Sequence, residues 1–233
     1  MRGLMVKRLN IYLIVLKFNF LEEVFMKKIL KEGIEKKCHE AFLNARNAFD
    51  SNMKFPNNVF TKAWDYYLFF PSDRMLQKYF ANSVSKFIVL EQANIVCLLN
   101  LTESSSLEFE NAAALYLDQD ITEEKYFSLI WGSGPAESEA WVFHMEYDYI
   151  CTSDIGSWCM YCERLSDIAV LAISSEGLEQ LRPALDILQP YTLEEACRPG
   201  QEGVFPFNDM SQEWHDGLFK NYVHVQKSHR EMK

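Results

Sequence analysis

The stretch from Ala140 to Ser174 constrains this chain most, because it reads as three consecutive β-strands joined by short polar turns. In its first part Trp141, Phe143, Met145, Tyr147 and Tyr149 alternate with Val142, His144, Glu146, Asp148 and Ile150. A period of two is the signature of a strand whose successive side chains point to opposite faces. The aromatic set is expected to cover a core, leaving His144, Glu146 and Asp148 on a wet face. Ser153 to Ser157 supplies turn chemistry, with Gly156 free to take positive φ, and Trp158 to Glu163 resumes an extended pattern. Arg164 to Asp167 is a second polar break. Ile168 to Ile173 is then almost unbroken apolar sequence, as in a strand covered on both sides. Short connections favour antiparallel neighbours, so a meander over about 140–174 is expected at the centre of a sheet.

The flanking sequence is mainly helical in pattern, which makes the expected class α+β, a mainly antiparallel sheet packed against several helices. Apolar residues recur at three- and four-residue intervals between Met26 and Asp50. Thr61 to Phe70 suggests a short helix or irregular cover, closed by Pro71. Ser72 and Asp73 are candidate caps for a helix reaching towards Leu90. Strands are expected over Asn94–Leu101 and Ala112–Leu117, and a helix behind Thr122 over Thr122–Trp131. Two further helices are expected, one capped by Ser174 or Ser175 and bent or split at Pro183, and one over Asp209–Tyr222.

The chain has 233 residues, 48% of them hydrophobic and 14% aromatic, with no repeat, low-complexity tract or long linker. A single domain over 26–233 is expected. Residues 1–25 hold an apolar run of only six residues, Ile11 to Leu16, too short for a secretory signal or a membrane span. Glu22-Glu23 stands just before Met26, and its codons form a purine-rich tract like a ribosome-binding site. Translation is therefore expected to start at Met26, with 1–25 a non-native extension. Without that segment, four basic and two acidic residues go and the formal charge moves from −10 to −12.

Such an acidic chain disfavours nucleic acid and anionic membranes and favours a basic partner. Cys159 and Cys162 form a Cys-x-x-Cys, but within a strand this spacing sends the thiols to opposite faces. The other cysteines, Cys38, Cys97, Cys151 and Cys197, are scattered. Six reduced thiols and a cytoplasmic location are expected, with no metal and no cofactor. Gly132-Ser133-Gly134 lacks the remaining residues of a dinucleotide or phosphate loop. His144, Glu146 and Asp148 share a face on which acid/base or metal-dependent catalysis can be built, yet nothing at a suitable spacing completes such a site. Trp141 and Trp158 either fill the core or, in one case, anchor a partner on a surface rimmed by Asp154, Glu163 and Asp167, with Glu146 and Asp148 beside it.

The run Ser153-Asp154-Ile155-Gly156-Ser157-Trp158-Cys159-Met160-Tyr161-Cys162-Glu163, followed by Asp167-Ile168-Ala169-Val170-Leu171-Ala172, resembles small α+β immunity proteins of bacterial toxin systems. The resemblance implies a non-enzymatic protein that binds and neutralises a cognate toxin, with a basic nuclease fitting the acidic charge. A structural or regulatory interaction protein, and an enzyme using His144, Glu146 and Asp148, are the alternatives.

Overall fold

A computed structural model describes residues 32–101, 108–109, 112–131, 148–198, 205 and 210–223. Among them run α1 (Glu32–Ala48), β1 (Tyr66–Pro71), a 3₁₀ turn (Ser72–Leu76), α2 (Phe80–Glu91), β2 (Val96–Asn100), β3 (Ala114–Leu117) and α3 (Glu123–Trp131). They are followed by β4 (Tyr149–Ser153), β5 (Trp158–Glu163), β6 (Ile168–Ile173), α4 (Ser175–Leu188), α5 (Leu193–Ala196) and α6 (Gln212–Tyr222). The six strands form one antiparallel sheet in the order β1-β6-β5-β4-β2-β3. The chain is thus α+β, with the meander β4-β5-β6 inside the sheet.

Helices cover both faces, and the period-two geometry of each strand divides its side chains between two cores. On one face Cys159, Tyr161, Ile168, Val170 and Ala172 pack with Phe42 of α1 and with Leu218 and Tyr222 of α6. On the other, Trp158, Met160, Cys162, Leu171 and Ile173 pack with Phe87 of α2, Tyr126 of α3 and Leu181 of α4. Every residue of β4, β5 and β6 is buried. The wet face expected of the first meander strand therefore does not extend into β4, where α1 occupies one side and the α2–α4 layer the other. Residues 141–147 lie outside the described residues.

Three other expectations change. Tyr66–Pro71 is a strand rather than a helix, because its aromatic side chains suit a pleated surface and its backbone pairs residue for residue with β6. Its outer edge is partly closed by Tyr191, which exchanges two backbone hydrogen bonds with Phe69. The expected single helix from Ser72 to Leu90 is broken at Gln77, which is extended, and neither Ser72 nor Asp73 caps it. Ser72 is instead buried, its hydroxyl accepting from Arg164 Nη1 at 2.9 Å. Helix α4 runs through Pro183 as one element, capped by Ser174, whose hydroxyl accepts from Gly177 N at 3.0 Å.

All six cysteines are free, and five are buried. Cys159 belongs to one core and Cys162 to the other, as their spacing in a strand demands. Burial pushes the thiols of Cys38 and Cys162 up to about 12, so their thiolates are scarce at neutral pH. A thiol reagent added to the native protein should therefore label Cys197, which is half-buried, well before the others. Rapid titration of a second thiol without denaturant would contradict this placement.

Candidate functional site

The residues singled out from sequence fall at opposite ends of β5. Asp154 lies in the β4–β5 turn, while Glu163 and Asp167 flank the β5–β6 turn. A strand of six residues separates them by roughly 20 Å. They do not make one patch.

At the first end, Asp154 is an internal support. Its Oδ1 accepts from the backbone N–H of Asn94 at 2.8 Å and of Ile95 at 3.1 Å, and its Oδ2 accepts from Asn94 Nδ2 at 3.0 Å. Lys37 Nζ of α1 approaches Oδ2 at 3.3 Å, and the aspartate side chain has no solvent exposure. Burial works to raise the carboxyl, but the bonds from Asn94 and Ile95, with Lys37, outweigh it and hold Asp154 below the ordinary aspartate range. Asn44 of α1 completes the corner, donating to the carbonyls of Ser153 at 3.0 Å and Asp154 at 3.1 Å. Gly156 takes φ +73° with Asn44 so close that a β-carbon would lie 2.9 Å from its side-chain nitrogen. The turn is thereby fixed to α1 and to the start of β2.

Trp158 begins β5 with no exposure at all, against Phe87 of α2 at a centroid distance of 4.9 Å. Its indole N–H donates to Glu91 Oε2 at 2.9 Å, and the N–H of Ser157 donates to Oε1 of the same carboxylate at 3.0 Å. This corrects its reading as a surface anchor, since a partner cannot reach it in this fold. Glu91 was not apparent as a key residue. Its signal was present, because it continues the apolar spacing of Val84, Phe87 and Ile88 along α2 and so places an acid where the helix faces inward.

At the other end, Asp148 and Glu163 are neighbours across β4 and β5. Tyr149 pairs with Cys162, and the same register sets Asp148 opposite Glu163. Glu163 is 8% exposed and accepts from Phe55 N at 3.3 Å. Asp148 receives Lys54 Nζ at 3.4 Å and the Tyr161 hydroxyl at 3.4 Å, both on Oδ2, while its Oδ1 is buried with no hydrogen-bond partner. Burial, reinforced by the charge of Asp148, raises the carboxyl of Glu163. As with Asp154, Glu163 is thus removed from the expected surface rim. Asp167 is exposed, with positive φ (54°), next to Leu165, the most exposed of the large hydrophobic residues described.

Of the three-residue polar set, only Asp148 is described; His144 and Glu146 lie outside the described residues. Among those described, no group of three or more histidine, cysteine, aspartate or glutamate side chains is arranged to hold a metal ion. No described helix is long and apolar enough to cross a membrane. Comparison with protein-family models, with curated proteins and with solved structures finds no match to this chain.

Proposed function

We propose that this chain is a binding protein that neutralises a basic protein toxin, in the manner of the immunity proteins its meander resembles. The observation that carries the reading is where exposed acid remains once Asp154 and Glu163 are assigned to the interior. Helix α4 presents Glu176, Glu179 and Asp186 to solvent against a single exposed base, Arg182. Glu194 on α5 and Asp167 at the β5–β6 turn are exposed as well. With a formal charge of −10 over the whole chain, such a surface attracts a cationic cleft and accelerates encounter. The groups have no internal task comparable to that of Asp154, so they can serve a partner without loss to the fold.

The test is capture of partners from the source cell extract with the chain as bait, followed by association kinetics with any basic domain recovered. Association should slow by about tenfold for a variant carrying Glu176→Lys, Glu179→Lys and Asp186→Lys at low ionic strength, with the difference shrinking as salt is raised. The variant should unfold at the denaturant concentration of the parent. Association insensitive to both salt and charge reversal would count against this surface, and recovery of no basic protein would count against the reading itself.

A further inference from the structure

One end of the sheet brings three exposed carboxylates together with the most exposed large hydrophobic side chain described. Strand β1 ends at Pro71, paired with Ile168, so the 3₁₀ turn that follows it lies beside the β5–β6 turn. Ser72 N donates to Asp167 O at 3.1 Å, and its hydroxyl accepts from Arg164 Nη1 at 2.9 Å. Arg74 Nη1, in the same 3₁₀ turn, donates to the carbonyls of Leu188 and, at 3.0 Å, Gln189, which brings the C-terminal end of α4 to this place. Asp73, Asp167 and Asp186 are exposed here, while Arg74 and Arg164 are anchored against internal acceptors. Leu165, two residues from Asp167, is 73% exposed. The turn that carries it is braced from within as well, since Asp167 N donates to Arg164 O and Ser166 Oγ to Glu163 O, each at 3.3 Å.

We propose that Leu165 is the apolar anchor of the surface that takes the basic partner, and that this partner presents an apolar recess flanked by lysine or arginine; the assignment rests on the binding role proposed above. An exposed leucine contributes little to the isolated fold. Moved from water into a recess, it stabilises a complex in proportion to the apolar area it removes from solvent. Because the β5–β6 turn is already held by the 3₁₀ turn and by its own bonds, docking has little chain left to order. The carboxylates act at a distance and hasten encounter, whereas the leucine acts only in contact and slows escape. Ile155, at the opposite end of β5, makes the contrast. It is 52% exposed, but its neighbouring aspartate is buried against Lys37, so it lacks the exposed carboxylate that stands beside Leu165. Exposed apolar surface and exposed acid coincide at the β5–β6 turn and are separated at the β4–β5 turn.

The probe is the basic protein recovered by the capture described above, and its association with and dissociation from the intact chain are measured separately. Leu165→Ala should speed dissociation by about tenfold while leaving the association rate and its salt dependence as in the parent. Ile155→Ala should leave both rates unchanged. Both variants should unfold at the denaturant concentration of the parent, because each side chain is mostly in water, so faster dissociation cannot be read as a damaged fold. Unchanged dissociation for Leu165→Ala, with association still slowed by the charge reversals on α4, overturns the anchor and leaves the acidic surface standing. Recovery of no basic protein overturns both. A chain that self-associates, and ceases to do so on Leu165→Ala, overturns the proposal by giving the turn to a second copy.

Discussion

Replacing Trp158 with alanine should destabilise the protein by about 3–5 kcal/mol, read as a lowered midpoint in denaturant unfolding. The residue is fully buried in the core shared by α2, α3 and α4, so the change deletes packing that neighbouring strands cannot collapse to recover. It also leaves the Glu91 carboxylate without the indole donor that meets it at 2.9 Å. Domains of this kind are stable by about 5–15 kcal/mol, so a large part of that margin disappears. Trp158→Phe separates the two contributions, because it retains an aromatic ring while removing the donor, and should cost about 1–3 kcal/mol. If Trp158 were instead a partner anchor on the surface, alanine would barely move the midpoint. A shift below about 0.5 kcal/mol would be the signature of that other arrangement.

Asp154→Ala should be of similar size, about 3–5 kcal/mol, since it removes one side of a buried charged network. The backbone N–H groups of Asn94 and Ile95 lose their acceptor at once, and the β4–β5 turn loses its hold on α1 through Lys37. The pH dependence gives an independent check. Asp154 is held below the ordinary aspartate range, so its contribution is present above the unfolded pKa and vanishes as pH falls through the folded value. The parent should therefore lose stability on acidification below about pH 4, and the variant should lose less over the same interval. Parallel stability curves for the two proteins would show that Asp154 is not the group responsible.

How legible these features are depends on how far away their partners stand. Trp158–Glu163 and Ile168–Ile173 declare themselves as strands because length, β-branched or aromatic content and polar breaks are all local. Tyr66–Pro71 has similar content, but its identity as a strand depends on β6, a hundred residues later. Its aromatic residues suit a helix face nearly as well until that pairing exists. Asp154 shows the same limit at the level of a side chain. An aspartate in a Ser-Asp-Ile-Gly-Ser turn reads as a solvent-facing residue, and only the return of Asn94 and Ile95 beneath it, with α1 alongside, turns it into a buried support. Glu163 is hidden for the same reason, because the loop that covers it lies more than a hundred residues earlier. Asp167 keeps the exposed side chain expected of a turn residue, because its distant partner, Ser72, meets only its backbone carbonyl, donating N–H to it at 3.1 Å.

The division of each meander strand between two cores has a consequence for how substitutions combine. Met160 and Tyr161 are bonded neighbours, yet the sheet stands between their side chains, one against the α2–α4 layer and the other against α1 and α6. Tyr161 shares its surroundings with Phe55 and Tyr222, residues far from it in the sequence, and Met160 packs in the other core. Damage on one side of the sheet is therefore invisible to compensation from the adjacent position in sequence, and tolerance to change is inherited by layers that the linear order interleaves residue by residue.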